Sequence, residues 1–298
     1  MPHRNVMNAS RFAERPVLVF GAGGSMDGWS NGKAAAFAYA REGARVACID
    51  RDPQAAANTV EAIHAEGGEA EAIVADVTDS ASVKEAVARA VAAFGLPAVL
   101  HNNVGVTHFG GPVELEEEAF DASVALNLGS VYRTCKAVIP HFLAQRGGVI
   151  VNISSIAAIR WTGYPYFAYS ATKAAVNQAT VALALQYARH GIRANCIMPG
   201  AIDTPLIYRQ IAGQYSSVEE MQAARARMVP MGRMGTAWDI AEAALFLASD
   251  QAAFITGAAI PVDGGQTCAM QPLSDIPGSA TQDQPPSAGL PTYMENQP

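Results

Sequence analysis

Residues 16–34 read PVLVFGAGGSMDGWSNGKA, in which a short apolar run leads into a loop with five glycines and then into an alanine-rich segment. An apolar run followed by closely spaced glycines and a helix is how a dinucleotide-binding turn begins. The ending NGKA is also close to the end of a P-loop that holds a nucleoside triphosphate. The stretch therefore predicts a strand, a phosphate-binding loop and a helix, with two kinds of phosphate to choose between.

The context of the loop favours the dinucleotide. A P-loop requires GxxxxGK followed by Ser or Thr, because that hydroxyl binds the magnesium ion. Asp27 stands in the place of the first glycine, and Ala34 follows Lys33, so both defining positions differ. A dinucleotide turn requires an acid at the end of the next strand, and Asp50 ends the run RVACID. A triphosphatase is the less favoured hypothesis.

Short apolar runs alternate with alanine-rich stretches from residue 16 onward. This alternation is typical of βαβ units and predicts an α/β fold, a doubly wound parallel sheet of seven strands with helices on both faces. We expect one domain over residues 15–270, an N-terminal extension over 1–14 and a proline-rich tail over 271–298. Residues 201–236 interrupt the alternation and predict a substrate lid, although their four methionines equally suit one packed helix face.

Composition excludes several classes of protein. Of the 298 residues half are apolar, and 20 basic against 27 acidic side chains give a net charge of -7. Because the basic residues do not cluster, no nucleic-acid surface is expected. The four cysteines are far apart and lack metal-ligand spacing, so we expect no metal site and reduced thiols. No apolar run approaches the length of a membrane span, which favours a cytoplasmic protein with no membrane partner.

Residues 150–177 read IVNISSIAAIRWTGYPYFAYSATKAAVN. Tyr169 and Lys173 are four residues apart in a helical stretch, so their side chains share one face about one turn apart. Taken alone, such a pair of residues most often lies on a solvent-exposed helix face. The neighbouring motifs favour a catalytic pair instead.

The chain resembles the short-chain dehydrogenase/reductase family from about residue 15 to 267, over most of its length. The motifs that carry the resemblance occur in the family's order: the glycine loop at 21–32, ADVTD around Asp76, HNNVG at 101–105, ALNLGS around Asn127, SS at 154–155, YSATK at 169–173, MPGAIDTP at 198–205 and DGG at 263–265. The resemblance implies a Rossmann fold and an NAD(P)-dependent oxidoreductase that moves a hydride between a secondary alcohol or ketone and nicotinamide.

Three features depart from the family pattern. The glycine loop is longer than usual, with Phe20 in place of a threonine and Ser30 where the middle glycine falls. Val104 replaces the commoner alanine in NNVG. Ser155 lies one residue further from Tyr169 than is usual, which predicts a bulge in the intervening loop. A subset of the family carries a longer loop ending in NGKA, so we expect cofactor binding with a rearranged pyrophosphate contact.

The resemblance also implies the catalytic residues. A phenol with an ordinary pKa of about 10 is a poor base at neutral pH, so a nearby ammonium is needed to lower that pKa. Tyr169 is accordingly expected to be the general acid/base, and Lys173 to lower its pKa while binding the nicotinamide ribose. Ser155, rather than Ser154, is expected to hold the substrate oxygen. Asn127 is expected to anchor a water that links Lys173 to solvent, although an asparagine there can also simply bend the helix.

The remaining expected contacts are to the cofactor. Glycines allow positive φ and let backbone N–H groups approach a pyrophosphate at a helix N-terminus. The residues expected to contact the pyrophosphate are Gly21, Gly23, Ser30, Asn31 and Gly32. By resemblance, Asp76 and Val77 flank the adenine, Asn103 and Gly105 contact the ribose and backbone after the fourth strand, and Pro199, Gly200 and Thr204 face the carboxamide. Asn103 and Thr204 can alternatively be turn residues.

The acid at the second strand favours NAD over NADP. Asp50 is placed to accept from both hydroxyls of the adenosine ribose and would repel a 2′-phosphate. Arg51, directly after it, leaves NADP as the less favoured alternative, because a guanidinium can receive that phosphate.

The substrate is less well specified. Six aromatic side chains near the catalytic residues can line a pocket for a cyclic or aromatic alcohol, or they can pack the subunit or lid: His108, Phe109, Trp161, Tyr164, Tyr166 and Phe167. A catalytically silent dinucleotide sensor or scaffold is the alternative function. The sequence predicts long helices over about 115–145 and 165–190. Alanine-rich faces suit close helix contacts, and the resemblance implies a homotetramer or homodimer that pairs these two helices.

Overall fold

The computed structural model describes residues 10–24 and 28–269. Seven strands form the main sheet: β1 (Pro16–Phe20), β2 (Arg45–Asp50), β3 (Glu69–Val74), β4 (Val99–Asn102), β5 (Gly148–Ile153), β6 (Ile192–Pro199) and β9 (Ala259–Val262). A separate pair, β7 (Ile202–Asp203) and β8 (Gly235–Thr236), lies outside that sheet.

Helices connect the strands and carry recognisable end signals. Their bounds are α1 (Asn31–Arg41), α2 (Pro53–Ala65), α3 (Ser80–Phe94), α4 (Glu117–Ser123), α5 (Gly129–Gln145), α6 (Phe167–Tyr187), α7 (Pro205–Ile211), α8 (Val218–Arg227) and α9 (Ala237–Ala248). Ser30, Asp52 and Asp79 cap α1, α2 and α3 by accepting from backbone N–H groups. Such caps satisfy donors that the first helical turn leaves unpaired.

The strand order is β3-β2-β1-β4-β5-β6-β9, and every pairing is parallel. This confirms the predicted seven-stranded, doubly wound sheet. The chain reverses its direction of winding between β1 and β4, where Phe20 pairs with Asn102. In such sheets ligands bind in the crevice beyond the carboxyl ends of the strands at this switch point.

Apolar clusters cover both faces of the sheet. Helices α1, α2 and α9 contribute to one cluster, and α3, α5 and α6 contribute to the other. Strand β1 is buried along its whole length, as a parallel strand covered on both faces should be. The alanines of α1 allow this helix to lie close to the sheet and to α9.

The predicted domain limits fall partly outside the described residues. The tail at 271–298 and residues 1–9 of the extension lie outside them, as do residues 25–27 of the glycine loop. Residues 10–14 of the predicted extension pack on the domain, because Phe12 is fully buried with its ring centroid 5.2 Å from that of Tyr39.

The stretch predicted to be one helix over about 115–145 is divided. A π-helical turn at Val124–Leu128 joins α4 to α5, and Asn127 lies within it. An extra residue in a helical turn redirects the side chains that follow, and such turns are frequent at functional sites.

Candidate active site

A cavity of about 640 Å³ opens at the carboxyl ends of the sheet strands. Its volume lies within the range of roughly 300–1,000 Å³ typical of small-molecule and cofactor sites. All the predicted catalytic and cofactor-binding residues line it except Gly32 and Asn127. The fold therefore brings residues from seven separate stretches of sequence to one place.

The glycine turn allows β1 and α1 to approach closely. Gly21 has a φ of 80°. A Cβ atom on Gly32 would overlap the Gly21 carbonyl oxygen and lie 2.7 Å from Asn103 Nδ2. Gly32 thus permits the packing of the helix start against the turn, which explains why it does not itself line the cavity.

Ser30 closes the long loop at its far end. Its hydroxyl donates to the Gly23 carbonyl oxygen at 2.8 Å and accepts from the Lys33 N–H at 3.1 Å. One side chain therefore joins the glycine turn to the first turn of α1. The N-terminus of α1 opens on the cavity, where Asn31 Oδ1 is buried without a hydrogen-bond partner among the described residues.

Trp29 is partly buried and packs against the apolar core. Its ring centroid lies 5.1 Å from that of Phe37 and 4.7 Å from that of Trp238, and it does not line the cavity. Lys33 is buried with its ammonium 4.9 Å from the centroid of the Trp29 ring, and it too is absent from the cavity wall. A P-loop lysine must reach the phosphates, so this placement argues against the triphosphate hypothesis.

Asp50 is fixed at the end of β2 by two backbone donors. Its Oδ2 accepts from the Gly23 N–H at 2.9 Å, and its Oδ1 accepts from the Asp52 N–H at 3.1 Å. A Cβ atom on Gly23 would lie 2.6 Å from that Oδ2, so only glycine allows this contact. Arg51 is exposed beside the carboxylate.

Asp76 and Val77 form the wall beyond β3. Hydrogen bonds from Thr78 lower the pKa of the Asp76 carboxyl, with smaller effects from the charges of Arg51 and Arg133. Its Oδ1 accepts from the Thr78 N–H at 2.8 Å and from the hydroxyl at 2.7 Å. The acid therefore stays ionised at the edge of the cavity.

Asn103 and Gly105 follow β4. Asn103 Nδ2 donates to the Gly21 carbonyl oxygen at 3.0 Å, so this side chain braces the glycine turn while it lines the cavity. A Cβ atom on Gly105 would lie 3.1 Å from Lys173 Nζ. The glycine therefore leaves room for the lysine ammonium.

The two serines after β5 have different surroundings. Ser154 is buried, and its hydroxyl donates to the Lys173 carbonyl oxygen at 2.9 Å. Ser155 Oγ accepts from the Ala157 N–H at 3.1 Å and faces the Tyr169 hydroxyl, whose pKa it lowers. Because Ser155 Oγ is an acceptor in the first contact, its own hydrogen can be donated towards a ligand.

Tyr169 and Lys173 lie one turn apart on α6. Burial raises the pKa of the Tyr169 phenol, and the Ser155 hydroxyl opposes this increase. Lys173 is 3% exposed, and its Nζ donates to the Ile153 carbonyl oxygen at 2.8 Å and lies 5.7 Å from the Tyr169 ring centroid. Burial lowers the pKa of Lys173 to about 8. The ammonium is still the main form of this lysine at neutral pH.

Asn127 lies behind these residues and is fully buried. Its Oδ1 accepts from the Val106 N–H at 2.7 Å, and its Nδ2 donates to the Val106 carbonyl oxygen and to Thr172 Oγ1, each at 3.0 Å. Both amide hydrogens are thus engaged by protein acceptors. The π-helical turn positions α6 at the residue immediately before Lys173.

The cavity wall at the carboxyl end of β6 is formed by Pro199, Gly200 and Thr204. A Cβ atom on Gly200 would lie 2.6 Å from the Cβ of Asp263, so the DGG turn packs directly on this wall. Gln266 Oε1 accepts from the Ala201 N–H at 2.7 Å and also lines the cavity. The sequence patterns did not single out Gln266.

The aromatic side chains divide between the cavity and the surface. Tyr164 and Tyr166 line the cavity, and Phe109 packs against both of their rings. Trp161 is 76% exposed, and Phe167 is also exposed. Neither lines the cavity, and neither do His108 and Phe109, so of the two predicted roles the pocket holds only for the two tyrosines. His108 hydrogen-bonds with Ser123 at 2.9 Å.

Residues 201–236, the segment predicted to be a lid, contribute α7 and α8 to the wall. Met228 lines the cavity, Met221 is fully buried and Met231 is exposed, so the methionines do not form one packed face. Arg209 and Arg225 also line the cavity. Sequence reasoning missed both arginines, because isolated basic residues in a helix give no pattern.

The described residues contain no cluster of three potential metal-ligating side chains among His, Cys, Asp and Glu. Within residues 10–24 and 28–269, no helix combines the length and apolarity that crossing a membrane requires.

Comparison with known proteins identifies the family. The model of the family described as Enoyl-(Acyl carrier protein) reductase matches residues 24–267. A 2,5-dichloro-2,5-cyclohexadiene-1,4-diol dehydrogenase from Sphingobium indicum is 39% identical over 257 residues, covering 86% of this chain and 98% of that protein. A 3beta-hydroxysteroid dehydrogenase 1 from Eggerthella lenta is 39% identical over 245 residues, covering 80% and 91%.

A solved structure gives the same result. A protein from Burkholderia xenovorans, whose crystal structure is described as a short-chain dehydrogenase/reductase, superposes with a TM-score of 0.85 at 42% identity, covering 88% of this chain and 100% of that one. The chain belongs to the short-chain dehydrogenase/reductase family. It is an oxidoreductase acting on CH–OH groups with a nicotinamide cofactor and a small-molecule substrate.

Proposed function

We propose that the protein interconverts a secondary alcohol and a ketone with NAD as cofactor, using Tyr169 as the general acid/base. The observation that carries the proposal is the convergence of Ser155, Tyr169 and Lys173 on one cavity whose other end is a glycine turn with an acid beside it. When bound, the nicotinamide accepts or supplies the hydride, and its oxidised ring carries a positive charge.

The residues at the far end of the cavity fit a dinucleotide. Gly21 and Gly23 line the cavity with backbone, and a Cβ atom on either would press on Val104 or Asp50 of the same wall. The N-terminus of α1 favours negative charge. The unpartnered Asn31 Oδ1 can accept from a ribose or amide donor. Asp50, Asp76 and Val77 would hold the adenosine, and Pro199, Gly200 and Thr204 the nicotinamide side.

Tyr169 would exchange the proton of the reacting hydroxyl. Because burial raises the pKa of Tyr169, its phenol is protonated at rest and can donate to a ketone oxygen. In the other direction it must accept the alcohol proton, which requires nearby positive charge. Lys173 supplies such a charge one turn away, and Ser155 can donate to the substrate oxygen while it accepts from Ala157 N–H. Asn127 would hold α6 in position through its hydrogen bond to Thr172.

Substitution Tyr169→Phe tests the assignment and the silent-binder alternative together. We expect a loss of turnover of at least about 100-fold, as for removal of a general acid/base, with the affinity for NAD unchanged. The measurements are absorbance at the reduced-nicotinamide band and calorimetric titration with NAD. Phe167→Leu, an exposed site two residues away, is the control. If the wild type binds NAD but turns over no alcohol or ketone in a broad panel, the sensor or scaffold hypothesis replaces this one.

The preference for NAD over NADP is proposed from Asp50. Two backbone donors hold its carboxylate at the end of β2, where it would accept from ribose hydroxyls and repel a 2′-phosphate. Asp50→Ser should reduce the ratio of kcat/KM for NAD to that for NADP, whereas Asp52→Ser should not. A wild-type preference for NADP would refute the proposal and would assign the 2′-phosphate to Arg51.

A cyclic or aromatic substrate is proposed from Tyr164 and Tyr166 on the cavity wall, and the dehydrogenases of a cyclohexadiene diol and of a hydroxysteroid among the relatives support it. We propose that residues 201–236 act as the substrate lid, since α7 and α8 contribute to the cavity wall near Tyr164 and Tyr166.

A cytoplasmic location is proposed from the four free cysteines.

A homotetramer or homodimer is proposed from the apolar surface of the paired long helices. Tyr132 on α5 and Leu185 on α6 are 62% and 73% exposed. Tyrosine is enriched in subunit interfaces, and homodimer interfaces are more apolar than the rest of the surface. Sedimentation of the purified protein should show a dimer or tetramer that Leu185→Lys dissociates, and a wild-type monomer would refute the assignment.

A further inference from the structure

The substrate end of the cavity has a positively charged wall. Arg209 of α7 and Arg225 of α8 line it together with tyrosines and apolar residues, whereas the acidic residues that line the cavity, Asp50 and Asp76, lie at the adenosine end. Arg225 is partly buried, and its Nε is shielded from solvent without a hydrogen-bond partner among the described residues. A guanidinium N–H buried in this way costs free energy unless an acceptor arrives.

Nearby acids do not neutralise these arginines. In the described part of the chain neither Arg209 nor Arg225 forms an ion pair with a carboxylate. Glu220, on the same helix as Arg225, accepts instead from the Ser216 N–H at 2.9 Å. Asp203 accepts from the Tyr208 hydroxyl at 2.7 Å. The charge of Arg225 is therefore available to a ligand in the cavity.

The arginine lines the same cavity as the proposed reacting centre, together with Tyr166 and Tyr169. The Tyr166 ring centroid is 5.7 Å from that of Tyr169. Burial raises the pKa of the Tyr166 hydroxyl, and the Arg225 charge opposes this increase. The cation and the proposed acid/base therefore face one bound molecule.

We propose that Arg225, assisted by Arg209, binds a carboxylate carried by the substrate, so that the enzyme acts on hydroxy or oxo acids. The carboxylate and the reacting carbon would belong to one substrate molecule, because Arg225 and Tyr169 line the same cavity. Nε and the adjacent terminal nitrogen of a guanidinium form a planar fork that matches two carboxylate oxygens. This inference rests on the proposed function and specifies its substrate class.

A pair of matched substrates tests the inference through turnover. trans-4-Hydroxycyclohexanecarboxylate and its carboxamide differ in charge but hardly in shape. We expect the wild type to prefer the carboxylate by about 10- to 100-fold in kcat/KM, the factor that a charge-assisted pair supplies. Arg225→Gln should remove the preference by lowering kcat/KM for the carboxylate about 10- to 100-fold more than kcat/KM for the carboxamide, and Arg225→Lys should retain part of the preference. Arg227→Gln, an exposed arginine on the same helix, is the matched control.

A binding measurement separates this inference from the proposed function. Cyclohexanecarboxylate and cyclohexanecarboxamide, neither of which can be oxidised at a hydroxyl, are titrated calorimetrically into the protein with NAD present. Tighter binding of the carboxylate to wild type and Arg227→Gln, but not to Arg225→Gln, supports the anion site even if every alcohol tested is inert. Equal affinity for the two compounds in the wild type, or a preference that survives Arg225→Gln, overturns it whether or not alcohols are turned over.

Discussion

Lys173 holds an ammonium group inside the protein, and this has a measurable cost in stability. Its pKa falls from the ordinary 10.5 to about 8 because of burial. At about 1.4 kcal/mol per pKa unit, this difference corresponds to roughly 3 kcal/mol of destabilisation at pH values well below 8. Lys173→Met should remove this contribution, while it also leaves the Ile153 carbonyl oxygen without its donor.

The pH dependence isolates the charge from the lost hydrogen bond. Between pH 8 and 10.5 the unfolded wild type binds a proton at Lys173 that the folded wild type has released, so wild-type stability rises with pH there. The variant has no such group. The free energy of unfolding of Lys173→Met minus that of the wild type should therefore decrease by about 2 kcal/mol between pH 7 and 9.5, whatever its absolute value.

Urea unfolding of both proteins at a series of pH values measures this difference. Protein concentration is held constant, since subunit association would change apparent stability. Lys84→Met is the control, because it removes an exposed lysine of α3 instead of a buried one. A Lys173→Met difference that is flat or increases with pH would refute the account of Lys173 as a buried cation.

Two further substitutions test the glycine loop. Gly32→Ala should destabilise the protein by about 1–3 kcal/mol and weaken NAD binding, because the added Cβ overlaps the Gly21 carbonyl oxygen. Gly213→Ala is the control, because a Cβ there meets open space. Equal effects of the two substitutions in thermal unfolding and calorimetry would contradict the argument that β1 and α1 approach closely at Gly32. Trp29→Ala should lower the free energy of unfolding by roughly 2–3 kcal/mol and leave NAD affinity unchanged, because the ring packs on Phe37 and Trp238. Weaker NAD binding with unchanged stability would show instead that the indole covers the cofactor.

Local sequence signals were sufficient for the main sheet. Strand β1 is a continuous apolar run, and α1, α2 and α3 are alanine-rich with a capping residue before each, so pattern and propensity agree there. Tyr169 and Lys173 could also be placed on one helix face from their spacing alone. The helix predicted over 115–145 was the exception, because nothing local marks the π-helical turn that holds Asn127 against Val106 and Thr172.

Side-chain direction is where prediction failed. Tyr164 and Tyr166 face the cavity while Trp161 and Phe167 face solvent, although all four occur within seven residues of sequence. An irregular loop has no fixed period from which to derive direction. Arg225 could not be predicted for the same reason. Whether it lines the cavity depends on which side of α8 faces the cavity, and only the packing of α8 decides that.

The amino-acid sequence by itself determined the parallel sheet, its glycine turn and the order of the motifs, because each depends on neighbours within a few residues. The tertiary structure decided what the residues of FGAGGSMDGWSNGKA do. Contacts with distant residues place Trp29 against Trp238, Gly32 against the Gly21 carbonyl and Lys33 away from the cavity. Those contacts depend on how α1 and α9 pack on the sheet, and the sequence of the loop contains no information about that packing.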